Sequence, residues 1–266
     1  MQEGYAMGYL LAAACYFFVF PRWGWRPMFF IGGLPALLAV FVRFKVKESA
    51  VWQKSRAESW SGLWRNIIPH WKLFLYITVL MMMMNCISHG TQDMYPTLLK
   101  EQRGFSVQKV AVIMVTYNIG AVAGGILFGA FSDRVGRRRC MILALSMAVL
   151  VIPLWAFTAS TPLLVLGAFL MQFMVQGAWG IIPAHITELS PDSVRGFLPG
   201  FAYQCGVFLA GSIAWIEAVF AKTLSYSTAM AVTALTVFIL GIAVIAAGRE
   251  KRGAVFGGGE HCEGGS

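Results

Sequence analysis

Eight apolar runs, each about long enough to cross a hydrocarbon core roughly 30 Å thick as a helix, set the pattern of this chain. They lie at roughly 1–20, 26–43, 72–95, 107–130, 141–159, 162–185, 197–220 and 227–247. The one long polar connection covers 44–71. The pattern predicts an all-α membrane protein, a helical bundle of about eight transmembrane helices. The third run stands apart because it carries polar groups near its end. Asn85, His89 and Asp93 recur at i, i+4 and i+8, within about 80° of one another on a helix, and Gln92 falls close to the direction of Asn85. A charged group at membrane depth costs on the order of 3 kcal/mol by insertion scales, so such a stripe reads as the lining of a path for an ion or small polar solute.

Composition agrees with the pattern. At 58% hydrophobic and 12% charged residues, a soluble domain of 266 residues would expose far too much apolar surface. The net charge of +9 does not read as nucleic-acid binding, because the basic residues sit between the apolar runs. With 44–71 on the cytoplasmic side, fifteen of the lysines and arginines fall on that side and six on the other. That asymmetry fits the positive-inside rule and places both ends of the 72–248 block in the cytoplasm. Segment 44–71, with Trp52, Trp60, Trp64 and Trp71 among its basic residues, suits the headgroup region of the lipid bilayer. The five cysteines are scattered, with no Cys-x-x-Cys pair, and imply neither a disulfide framework, nor a metal site, nor a cofactor. The first run lacks the basic start and cleavage site of a secretory signal.

Two polar elements at the basic ends carry further information. The first is Gly129-Ala130-Phe131-Ser132-Asp133-Arg134-Val135-Gly136-Arg137-Arg138-Arg139, read as a tight loop between the fourth and fifth runs. Gly136 permits a turn that a Cβ would penalise, and Asp133 can accept hydrogen bonds from arginines or from a helix N-terminus. This Gly-x-x-x-Asp-Arg-x-Gly-Arg-Arg order resembles the cytoplasmic loop signature of the major facilitator superfamily. The second element, with Glu188, Pro191, Arg195 and Gly196, is similar to another motif of that superfamily. The resemblance implies a fold of twelve helices in two bundles. On it, 72–248 matches a whole C-terminal six-helix bundle, 1–43 the last two helices of a truncated N-terminal bundle, and 249–266 a cytoplasmic tail. It further implies that this chain is a fragment whose complete transporter needs four preceding helices. An internal echo agrees: Gln2, Gly4, Gly8 and Ala12 recur as Gln204, Gly206, Ala210 and Ala214, equating the first run with the seventh.

The stripe itself resembles the Asn-x-x-Ser/Thr-His-x-Ser/Thr-Gln-Asp-x-x-x-Thr signature of the sialate/lactate–proton symporters, which include monocarboxylate permeases. Asn85, Ser88, His89, Thr91, Gln92, Asp93 and Thr97 fill every specified position. What the resemblance implies is symport of a small organic anion, such as lactate or pyruvate, with protons. Residue chemistry is compatible. Imidazole changes charge near neutrality, an ionised Asp93 one turn away favours imidazolium, and a protonated His89 could hold a carboxylate with Asn85 and a Ser88 or Thr91 hydroxyl. An interhelical hydrogen-bond cluster is the structural alternative. Gln172, Gln176, Tyr203 and Gln204 are candidates for lining the same cavity, Gly120, Gly124, Gly125 and Gly129 for close helix packing, and Glu217 for pairing with Lys222. Sialate, another organic acid or a sugar is an alternative substrate, and a non-transporting truncated product an alternative altogether. No paired carboxylates, nucleophile elbow or metal-spaced set supports an enzyme.

Overall fold

The computed structural model describes residues 8, 11–12, 14–15, 17–45, 68–191 and 194–250. Its long helices are α1 (Arg26–Lys45), α2 (Trp71–Gln92), α3 (Val107–Val135), α4 (Arg137–Ala156), α5 (Thr161–Leu189), α6 (Leu198–Ala210), α7 (Ile213–Thr223) and α8 (Tyr226–Ala247). Among the described residues, seven helical stretches are long and apolar enough to cross a membrane, α6 and α7 forming one of them. Most of the first predicted run, residues 46–67 of the connection, and 251–266 of the tail lie outside the described residues.

The termini explain where the helices begin and end. Ser106 and Ser225 cap α3 and α8, their hydroxyls accepting from Lys109 N and Thr228 N. Pro162 occupies the first turn of α5, where its missing N–H is no loss. Helix α2 ends at Gln92, but the third span does not stop at 95 as the hydropathy suggests. After a short break the chain recoils through Tyr95–Thr97 and a wide turn at Leu98–Gln102, because Tyr95, Leu98 and Leu99 are fully buried. The apolar stretch therefore runs from Ile68 to Gln102, with Asn85 at its centre and His89 about 6 Å beyond. Asp93 lies about 12 Å beyond that centre. The predicted seventh run is likewise modified, being broken at Gly211-Ser212 between α6 and α7.

Helices α2 to α8 form one bundle. Helix α5 packs against α3 and α4, α2 against α6 and α8, and α8 also against α4 and α7. Glycines set the closest approach. A Cβ at Gly120 or Gly124 on α3 would fall on the carbonyl oxygens of Phe169 or Phe173 on α5, and one at Gly180 would lie 2.6 Å from Gly125 O. Gly129, read with them as a packing glycine, has only Gly180 O at 4.0 Å and holds no such contact. Gly206 of the internal echo meets Met81 and Met82, while Gly8, its partner's neighbour in the repeat, has nothing within 4 Å. Met81 and Met84 are fully buried filling. No residue in the hydrophobic window of α1 is buried.

Candidate functional site

The polar residues of α2 fan across the helix from the bundle interior to its open edge. By helical geometry the order is Thr91, Ser88, Gln92, Asn85, His89, Asp93, spread over about 200°. Exposure follows that order in outline. Thr91, Ser88, Asn85 and Gln92 are buried, whereas the side chains of His89 and Asp93 are 36% and 33% exposed. The inner residues are committed to the bundle. The Thr91 hydroxyl donates to Ile87 O, and the Thr91 carbonyl accepts from the Tyr117 hydroxyl of α3 at 3.0 Å. The Asn85 amide donates to Met81 O at 2.7 Å. The Ser88 hydroxyl accepts from the Gln92 amide at 2.7 Å and from the Gln176 amide of α5 at 3.5 Å. At the outer edge, His89 Nδ1 lies 3.1 Å from Asp93 Oδ2.

Gln92 and Asp93 line a hollow of about 260 Å³, closed by Pro96, Met114, Tyr117 and Asn118. Thr97 is half-buried and lines a neighbouring cavity with Lys100 and Glu101. Of the other candidates, Gln172 is buried with its carbonyl oxygen lacking a partner among the described residues. Tyr203 stacks edge-on to Trp179, whose indole donates to Met84 O at 3.2 Å. Gln204 is exposed. Glu217 and Lys222 do not pair: five residues apart on a helix they point about 140° from each other, and Glu217 is buried while Lys222 is exposed. Sequence reasoning missed Tyr117 and Asn118, which adjoin the hollow from α3 and whose spacing with α2 carries no recognisable pattern.

The basic end is more ordered than a loop. Gly129, Asp133 and Arg134 lie within α3, and Arg137 and Arg138 begin α4, leaving Gly136 alone as the turn. Its φ of +110° is a conformation that L side chains rarely adopt. This one-residue turn brings the two polar elements together. Arg137 reaches Glu188 of α5 at 3.0 Å, Asp133 at 2.6 Å and the Ser132 hydroxyl at 2.7 Å. The Glu250 carboxylate accepts from Arg137 N at 2.7 Å and Arg138 N at 3.1 Å, satisfying free amides at the start of α4. Arg138 donates to the Gly248 carbonyl. Arg195 Nε donates to Thr187 O and Ser190 O, holding the chain as it leaves α5. Arg134 is exposed, and Gly196 has no atom near the position of a Cβ.

The comparison with known families is made on the sequence as a whole. The sequence profile of the Major Facilitator Superfamily matches residues 94–259. The chain belongs to that superfamily. It is an integral membrane protein of a transporter family rather than an enzyme. It is 31% identical to a carboxylic acid transporter protein homolog of Saccharomyces cerevisiae, over 94% of this chain and 47% of that protein. It is 25% identical to a cis,cis-muconate transport protein of Acinetobacter baylyi, over 77% of this chain and 52% of the other. Against the sialic acid transporter NanX of Escherichia coli the identity is 24%, over 77% and 51%. The chain spans about half the length of these curated relatives.

Proposed function

We propose that this chain is part of a plasma-membrane secondary transporter that moves a small monocarboxylate, of the lactate or pyruvate kind, together with protons. Residues 72–248 would form one of its two bundles, with both chain termini of that bundle cytoplasmic and the preceding helices supplying the opposite wall. The observation that carries the reading is the His89–Asp93 pair on an apolar, membrane-length helical stretch, open on one side and backed by a buried amide and hydroxyl network. Imidazolium paired with Asp93 presents no net charge to the bilayer. An incoming carboxylate competes with Asp93 for the imidazolium, and a proton taken up with it keeps the loaded site neutral. Organic-acid names among the relatives support the substrate class.

The basic-end clasp then belongs to conformational control. It lies remote from the stripe, and its exposed members Asp133 and Arg134 are free to meet the opposite bundle, a contact that would bias which bundle arrangement is favoured. The direct test is uptake into proteoliposomes by the protein expressed from its complete reading frame, with labelled lactate and an imposed proton gradient. His89→Ala is expected to abolish accumulation while membrane insertion persists. Unchanged uptake with an unchanged pH profile would remove His89 from the mechanism. Competition by unlabelled pyruvate, muconate, sialate and a sugar separates the substrate classes.

A further inference from the structure

Glu217 is a candidate polar group that the reading above leaves without a role, and its surroundings are unusual. It lies on α7, is 1% exposed, and both carboxyl oxygens lack a hydrogen-bond partner among the described residues. Beside it on α8 is Thr233, whose buried hydroxyl is also without a partner. Gly90 of α2 makes the space these groups share. A Cβ there would stand 3.5 Å from Glu217 Oε1 and 3.6 Å from Thr233 Cγ2 and Ile213 Cγ1. Gly90 is the residue next to His89 and three before Asp93, so the buried carboxyl abuts the helical turn that carries the open pair.

Burial without a partner makes an ionised Glu217 costly. From α2 the titratable groups on the adjoining turn are His89 and Asp93, which pair with each other. From α8 the facing group is Thr233, which does not titrate. On its own helix, Lys222 is exposed and points away. A carboxylate here would be desolvated and without a hydrogen-bond partner among the described residues, an expensive arrangement in a protein interior. A carboxylic acid removes the charge and supplies an O–H donor.

We propose that Glu217 is a proton-binding site of this carrier, holding a carboxylic acid in the seam between α2, α7 and α8 and releasing its proton only when that seam opens to water. The step is the breaking of the Glu217 O–H bond, the proton passing to solvent and the carboxylate becoming hydrated. Proton exchange is thereby tied to movement of α7 against α2. The coupling role rests on the proton-symport reading above, whereas the protonation state does not.

Two measurements test it. Infrared spectra of the purified protein in lipid at neutral pH are expected to show a protonated-carboxyl C=O band that disappears in Glu217→Gln. In vesicles, Glu217→Gln, which mimics a permanently protonated side chain, is expected to keep carboxylate exchange but lose gradient-driven accumulation. Absence of any band removed by the substitution, or full accumulation by Glu217→Gln, would overturn the proposal. Wild-type vesicles that accumulate no carboxylate would overturn the symport reading and with it the coupling role, while the infrared band still decides the protonation state.

Discussion

Arg137 has two carboxylate partners, and their surroundings predict very different losses when each is neutralised. Glu188 lies 3.0 Å away with its side chain 8% exposed, and Arg137 itself is 14% exposed. Asp133 is closer, at 2.6 Å, but 63% exposed. Distance alone ranks Asp133 first. Solvent reverses the order, because an exposed pair is worth about 0–1 kcal/mol, whereas removing one member of a buried pair costs about 3–5 kcal/mol by leaving a desolvated charge. Glu188→Gln retains shape and one acceptor oxygen, so about 3 kcal/mol is expected for it and under about 1 kcal/mol for Asp133→Asn. By the soluble-protein scaling of about 2–4 °C per kcal/mol for this size, the melting temperature falls by roughly 6–12 °C in the first case and by a few degrees at most in the second. The assay is thermal unfolding in one fixed detergent or lipid system, followed by tryptophan fluorescence, with Arg137→Gln and the Arg137→Gln/Glu188→Gln double variant completing a cycle. The double variant should be more stable than the two single losses summed, by about 2 kcal/mol or more. Equal losses for Asp133→Asn and Glu188→Gln, or strict additivity in the cycle, would refute the assignment of Glu188 as the buried partner.

Gly124→Ala is expected to separate α3 from α5 and sharply lower the yield of folded protein by size-exclusion chromatography, because its Cβ meets the Phe173 carbonyl; Gly129→Ala, with 4.0 Å of clearance, should leave the yield unchanged. Gly136→Ala forces a Cβ into a positive-φ turn and should destabilise the bundle by roughly 1–3 kcal/mol, read as a shift in melting temperature. Glu250→Gln weakens the cap on α4 by about 1 kcal/mol or less and should increase amide exchange at Arg137 and Arg138, measured by hydrogen–deuterium mass spectrometry, with little change at α2. Asp133→Asn, with its small stability cost, should slow transport turnover while leaving substrate affinity similar; a large loss of affinity at normal turnover would detach this end from conformational control.

The bundle was legible because a membrane allows few alternatives. Backbone polar groups must be satisfied within each span, so apolar run length translates directly into helices. Boundaries shifted where packing, not hydropathy, decided them, as at Leu98 and Leu99, where buried leucines carry the third span on beyond the polar Asp93. The stripe was legible as spacing, since i, i+4, i+8 has one geometric meaning on a helix. Its division into a buried part and an open part was not, because spacing fixes angles between residues and says nothing of which angle faces a neighbour. Tyr117 and Gln176 supply that reference, and both lie on other helices.

Glu217 shows a different limit. Lys222 five residues on invited a surface pair, yet the angle between them already argued against one, and an acid on an apolar helix opposite a glycine was the better signal. The clasp at the basic end marks the boundary of what spacing can deliver. A short connection between α4 and α5 makes them antiparallel, so the start of one must lie on the same side as the end of the other. Equal rise from that turn would set Arg137 beside Gly180, leaving Glu188 two turns further, on the order of 12 Å away. Long side chains and the crossing angle of the helices decide whether such groups meet, and crossing angles come from ridges and grooves across an interface rather than from order along the chain. Here the interface is built by Gly167, where a Cβ would lie 2.8 Å from Leu154 O, so the two helices meet backbone to backbone near their connecting turn. With Gly167 level with Leu154, Arg137 falls level with residue 184, which leaves Glu188 about one turn or 6 Å further on, within reach of two long side chains.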